Sequence, residues 1–284
     1  MSVTRIAVME SLAEMDEYSI DGTGYDPSGI IVSTRSGEEV QNLAGRLDPV
    51  RELMEISVCC NGAHIEYRDG QYACIGEPTE AALLALVERV GTPDATFNTF
   101  KNEPHKPELA MSACRHSYEA TLEKLEVYEF TRDRKSMSVA ARRKHTTQVQ
   151  LFVKGAPEKI LERCTRVRIG LKTVPLDGSI RAVINSTIKT YTEGHSMRVL
   201  GMALIEDFVR PDFSGKDETE ADYEKLEQDM IFVGLVGMLD PPRPEVPDSI
   251  ARCDAAGIRV VMITGDNRGT AESIARSIGI IKPN

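Results

Sequence analysis

VYEFTRDRKSMSVAARRKHTTQVQLFVKGAPE, residues 127–158, is the stretch on which the fold turns. Val127, Phe130, Met137, Val139, Val149, Leu151 and Val153 follow a β-type alternation, interrupted by the basic and polar turn 142–147. Two extended runs joined by such a turn predict a hairpin. Gly155 and Pro157 then mark a strand-to-helix junction, with a helix expected over 157–164. Working outward, residues 2–9 read as a strand, and Gly22, Gly24, Pro27 and Gly29 as a turn-rich hairpin. Residues 38–59 have near-helical apolar spacing that Pro49 breaks into two helices. A turn at Asn61 and Gly62 precedes a clear helix over 78–90, stopped by Gly91 and Pro93. The pattern then predicts a loop over 91–107, helical character over 111–126, a helix from the Asp177-Gly178 turn to about Tyr191, a strand over 197–206, an acidic helix over 218–229 and a strand over 230–238. Strands and helices mix without strict βαβ alternation, which favours an α+β domain with an antiparallel sheet and flanking helices up to Leu239. Beyond it the grammar is parallel α/β: a helix over 247–256 ended by Gly257, a continuous buried strand over 258–263, and a helix over 270–278 ended by Gly279. One strand with two helices makes no stable sheet, so its completion is expected outside this chain.

The composition narrows the function classes. The 284 residues carry 34 Lys+Arg against 44 Asp+Glu, a net charge of −10, which disfavours nucleic-acid binding. With 41% hydrophobic and 27% charged residues, the chain has the balance of a folded protein, roughly two domains by length. The apolar runs 231–239 and 258–263 fall short of the ~20 residues that cross a bilayer, and no cleaved leader is expected after Met1. The six cysteines lack metal or disulfide spacing, which reads as a reducing compartment, and the five scattered histidines make zinc improbable.

Several segments suit phosphate and base chemistry. Thr264, Gly265, Asp266 and Asn267 end the expected buried strand, where α/β sheets present ligands; an ordinary capping loop explains them equally. Read as one strand, Phe130, Arg132 and Arg134 share a face, on which a base stacks on the ring while a guanidinium grips phosphate. A solvated basic strand is the plainer alternative. Gly155 and Ala156 let a ligand approach the backbone, and Lys154 offers phosphate a point charge, although Gly and Pro also simply punctuate such junctions. Glu77, Thr79 and Glu80 suit a helix start, and a carboxylate there also accepts from an adenine amino group. Arg198 alone is uninformative. Asp21-Gly-Thr-Gly24 imitates an aspartyl-phosphate motif, but the residues before it do not provide the buried parallel strand such an Asp follows, so a glycine turn is expected.

Taken in order, GEPTEAAL (76–83), FTRDRKSMSV (130–139), KGAPE (154–158), MRVLG (197–201), GMLDPPR (237–243) and MITGDN (262–267) resemble the P-type ATPases, in particular the sarco/endoplasmic-reticulum type of calcium pump. The resemblance implies a nucleotide-binding domain over 1–239 and an incomplete, haloacid-dehalogenase-like phosphorylation-domain fragment over 240–284. It implies that Phe130 stacks on adenine, that Glu80 reads the adenine side, and that Lys154, with Gly155 beside it, lines the deep end of the pocket. Arg132 and Arg198 would neutralise phosphates, Lys135 and Met137 would shape the pocket, Asp240 and Arg243 would form the hinge, and Thr264, Gly265 and Asp266 the phosphate end.

The family's DKTGT and GDGVND motifs, its membrane helices and its actuator elements are absent from the sequence. The chain is therefore expected to be a portion of a pump that binds ATP without being phosphorylated itself. The resemblance further implies Mg2+ with ATP, Ca2+ as cargo, the remaining pump domains and membrane helices as partners, and a place on the cytosolic face of an internal membrane such as the endoplasmic reticulum. Two other classes stay open: a soluble haloacid-dehalogenase-type phosphatase, which needs an Asp-x-Asp motif the chain lacks, and a non-catalytic interaction module.

Overall fold

The computed structural model describes every residue except 23, 104, 211–219, 241–244, 265–267 and 283–284. Strands β1 (Ser2–Met9), β2 (Met15–Ile20) and β3 (Ile31–Ser33) form an antiparallel meander. Asp21 therefore follows an antiparallel strand, and its carboxylate accepts the neighbouring Gly22 amide at 2.8 Å, as a turn residue does. Pro49 sits in the first turn of α2 (Asp48–Cys59), separating it from the single turn α1 (Leu43–Arg46). A small hairpin, β4 (His64–Arg68) with β5 (Gln71–Ile75), precedes α3 (Pro78–Val90). The expected loop after it holds the short helices α4 (Ala95–Asn98) and α5 (Pro107–Ala110).

Next come α6 (Ala113–Thr121), β6 (Leu122–Tyr128), β7 (Ser136–Arg143), β8 (Val149–Gly155), α7 (Pro157–Arg163), β9 (Cys164–Ile169) and β10 (Lys172–Pro175). The order ends with α8 (Gly178–Lys189), a π turn (Thr190–Gly194), β11 (Arg198–Ile205), α9 (Glu220–Leu226), β12 (Met230–Leu239), α10 (Glu245–Ala255) and α11 (Arg268–Ser277).

The main sheet runs β3-β2-β1-β12-β11-β8-β7-β6, all antiparallel along this path, with β9 joining β12 in parallel and β10 paired to β9. The apolar run of β12 is buried along nearly its whole length because both sheet faces are covered. On one face Leu53 and Ile56 of α2 and Leu83 and Leu86 of α3 pack on Met137, Phe152, Met202 and Val233. On the other, Ile160 of α7 and Ile180 and Ile184 of α8 pack on Val153, Ala203, Phe232 and Leu235. Each such fully buried side chain contributes about 1.5–3 kcal/mol. The mixed helix and antiparallel sheet expected from the sequence is thus what forms.

Three local expectations are corrected. Helix does not continue over 111–126: it ends at Thr121, and Leu122 begins β6, whose ladder with β7 satisfies its backbone. Residues 129–135 are not part of a strand but the loop joining β6 to β7, so the alternation that placed Phe130, Arg132 and Arg134 on one face does not apply. Residues 258–263 form no strand; Ile258, Val261 and Ile263 are 58%, 66% and 93% exposed. A strand needs a neighbouring strand for its backbone groups, and among the described residues none pairs with this segment. No described helix is long and apolar enough to cross a membrane.

Candidate functional site

One end of the main sheet gathers most of the residues singled out in the sequence. Ser136, which starts β7, pairs with Gly155, which ends β8; Gly155 in turn pairs with Gly201 of β11. Arg198 starts β11 three residues earlier and so lies about 10 Å beyond that pairing, at the same edge. The 129–135 loop emerges there, and the first turn of α3 reaches it through two side chains: Glu80 meets Lys154, and Thr79 accepts from Arg198 at 3.4 Å.

Lys154 sits opposite Met137 on β7 and Met202 on β11, both in the core beneath α2 and α3. Only 7% exposed, it is a lysine set into an apolar sheet face. Its Nζ lies 2.6 Å from Glu80 Oε1, while Glu80 Oε2 accepts the Gly62 amide at 2.8 Å. Burial works against the Glu80 charge, yet the Lys154 ammonium and the amides of Gly62 and Ala63 outweigh it and hold the carboxyl below its ordinary range. Glu80 stays ionised in the first turn of α3, where a negative charge also suits the helix dipole. The pairing also changes the reading of Lys154. A cation already matched by a carboxylate adds little net field for phosphate, whereas the pair presents a donor and an acceptor side by side at the edge of an apolar floor.

Gly155 is fixed by a close approach. A Cβ there would lie 2.4 Å from the Lys135 carbonyl oxygen and 2.8 Å from Ser136 Cβ. The Lys135 carbonyl instead accepts the Ala156 amide at 2.9 Å, which ties the end of the loop to the start of α7. Lys135 itself has a left-handed backbone, φ 52°. Phe130 on this loop is 58% exposed, and the exposed charges near it in sequence or at the same sheet edge are mixed: Arg132, Lys135 and Arg198 against Glu129 and Asp133. Arg134 departs from the expectation: it is buried and takes no place among them.

The remaining expected residues stand elsewhere. Asp240 is exposed and pairs with the Met1 amino group at 3.2 Å. Thr264 is exposed in the segment after α10; Arg243, Gly265 and Asp266 lie outside the described residues. Sequence reasoning missed Asn61 and Gly62 as site residues. Asn61 Nδ2 donates to the Glu80 carbonyl at 2.9 Å, and the Asn-Gly pair, legible only as a turn, delivers the amide that Glu80 accepts. A depression of about 380 Å3 lies beside Arg198 at the same end of the sheet, lined by Arg5, Asp21, His195 and Met197 among others. The residues that line it include no buried charge pair, so the Lys154-Glu80 part of the edge is the better-built site. Among the described residues no cluster of three or more His, Cys, Asp or Glu side chains is placed to hold a metal.

The family model described as "P-type ATPase, cytoplasmic domain N" matches residues 49–245 of this chain. The "Endoplasmic reticulum calcium ATPase srcA" of Aspergillus fumigatus is 41% identical over 286 aligned residues, which cover 99% of this chain and 29% of that relative. The chain thus spans less than a third of the length of the curated relative it matches.

Proposed function

The chain belongs to the P-type ATPase family, and from that premise we propose that it is the ATP-binding portion of a calcium-transporting pump. Phe130 stacks on adenine; Glu80 accepts from the adenine amino group while Lys154 donates to a ring nitrogen; Gly155 lets the loop that bears Phe130 close against the end of β8. Arg132 and Arg198 meet the phosphates, and Lys135 and Met137 shape the pocket. The single observation that carries this reading is a phenyl ring left 58% exposed at the sheet edge where a buried Lys-Glu pair also opens. An exposed ring on a loop anchored from below has its π-face available to a base.

The proposed limits are a nucleotide-binding domain over 1–239 and a phosphorylation-domain piece over 240–284. Asp240 and Arg243 act at the hinge, and Thr264, Gly265 and Asp266 at the phosphate end. In the whole protein, ATP hydrolysis at a phosphorylated Asp supplied by another segment drives Ca2+ across an internal membrane, with this portion on the cytosolic face alongside the other pump domains and membrane helices. Mg2+ would come to the site with the nucleotide's own phosphates. Nothing in the geometry favours the phosphatase or interaction-module readings.

The test is a fluorescence titration with trinitrophenyl-ATP, displaced by ATP. Phe130→Ala and Lys154→Ala each weaken binding by roughly tenfold or more; unchanged affinity in both sinks the site assignment.

A further inference from the structure

The loop that carries Phe130 has no ladder of its own, yet it is held from inside by a buried ionic cluster. Arg134, 2% exposed, donates through Nη2 to the carbonyls of Tyr128, at 2.9 Å, and Glu129, the two residues before Phe130. Its Nη1 lies 3.2 Å from Glu227 Oε1. The other Glu227 oxygen accepts the Ser136 hydroxyl at 2.6 Å and an Arg163 Nη1 proton. Arg163, in the last turn of α7, donates in turn to the Arg134 carbonyl at 2.8 Å. Tyr223 of α9 completes the enclosure: its ring packs on Tyr128 at 5.1 Å between centroids and lies 5.5 Å from the Arg134 guanidinium carbon.

Glu227 is fully buried and stands 91 residues along the chain from Ser136. Its single carboxylate faces two guanidinium groups in a dry interior, so removing that negative charge leaves two buried cations facing each other without it. The cluster joins both ends of the Phe130 loop to α7, the helix that follows Lys154 and Gly155. Its directional part, the Arg134 fork, is used on loop carbonyls. Fixing those carbonyls fixes the backbone from which Phe130 projects.

We propose that Glu227, acting through Arg134, is a positioning residue that holds Phe130 in the orientation that stacks on the nucleotide base. This rests on the nucleotide reading above. Stacking of a base on an aromatic ring is worth roughly tenfold or more in affinity, and a ring whose loop is loosened forfeits much of that.

The experiment is isothermal titration calorimetry of the chain with ATP and, separately, with inorganic tripolyphosphate, which has charge but no base. Glu227→Gln is expected to weaken ATP binding roughly tenfold, to leave tripolyphosphate binding unchanged, and to add nothing further in a Phe130→Ala background. Arg134→Lys, which keeps the charge but loses the fork, is expected to reproduce the ATP loss and serves where Glu227→Gln fails to fold. Equal loss for ATP and tripolyphosphate, or a loss additive with Phe130→Ala, shows a merely structural cluster and overturns the proposal. If Phe130→Ala weakens ATP binding while Glu227→Gln and Arg134→Lys bind like the unsubstituted chain, the positioning role alone falls. If the unsubstituted chain binds no ATP, the nucleotide reading fails and takes the positioning role with it.

Discussion

Gly155→Ala is the sharpest perturbation of this site, because one added methyl group meets backbone rather than a yielding side chain. The new Cβ would lie 2.4 Å from the Lys135 oxygen and within 2.9 Å of Ser136 Cα. Ordinary contact therefore demands that the two strands part by about 1 Å. Overpacking of this kind costs about 1–3 kcal/mol, and weakening the Ala156 amide bond to Lys135 adds about 1 kcal/mol. A combined loss of about 2–4 kcal/mol lowers the thermal midpoint by roughly 5–15 °C for a domain of this size. The retreat also displaces the loop that bears Phe130, so ATP affinity falls along with stability. Thermal unfolding followed by circular dichroism, run beside an ATP titration at a temperature where the variant is folded, reads both effects. Gly178→Ala is the control: the added Cβ meets nothing within 4 Å and the position is helical, so stability stays level or rises slightly. A Gly155→Ala chain that unfolds and binds ATP like the unsubstituted one refutes the close-approach argument.

Lys154→Met strands the Glu80 carboxylate with only the Gly62 and Ala63 amides and is expected to destabilise the chain by about 3 kcal/mol. Adding Glu80→Gln restores most of that loss without restoring ATP binding; urea midpoints of the single and double variants check this. Phe130→Ala, at an exposed position, leaves the urea midpoint within about 0.5 kcal/mol of the unsubstituted chain. Glu88 supplies the pH dependence. Burial raises its carboxyl to about 7, although the Arg115 and Cys114 amides, at 2.9 Å and 2.8 Å, pull the other way. The folded state therefore holds this proton where the unfolded chain has released it. Its contribution is complete below the ordinary value of 4.5, declines as pH rises, and is gone above about 7, a change on the order of 3 kcal/mol. Glu52, which burial raises to about 6, acts in the same direction. Glu88→Gln flattens the stability slope between these limits, and an unaltered slope contradicts the assignment.

What was legible in the sequence was whatever local pattern suffices to specify. Pro78 and Gly91 bracket the apolar run of α3, and the unbroken apolar run of β12 marks a central strand covered on both faces. Pro157 placed the start of α7. β6 was misread because Leu122 and Leu125 recur at helical spacing while Leu125 and Val127 are exposed, so its identity comes from pairing with β7 rather than from a buried face. The 258–263 run has strand composition and no described partner, which shows that propensity alone does not make a strand. The β4-β5 hairpin was overlooked although His64 to Arg68 alternates polar and apolar residues and Asp69-Gly70 is a favoured hairpin turn.

The site divides in the same way. Phe130, Lys154 and Gly155 are legible in contiguous motifs, and the sheet register brings them to one edge. The groups that set their chemistry come from remote segments: Gly62 lies 18 residues from the carboxylate it holds, and Glu227 lies 91 from the serine it accepts from. Arg134 shows the opposite failure. It sits within the most recognisable motif of the chain, but it faces the interior and anchors the loop where alternation had placed it beside the ligand.

The most direct measurement of the central claim is an ATP titration of the isotope-labelled chain followed by amide 1H–15N correlation spectra. The account predicts saturable shifts centred on Gly62, the 129–137 segment, Lys154 to Ala156 and Arg198, all moved to roughly tenfold higher ATP concentration or beyond in Phe130→Ala. Saturable shifts centred instead on the depression at Arg5 and His195, or no saturable shifts at all, would contradict it.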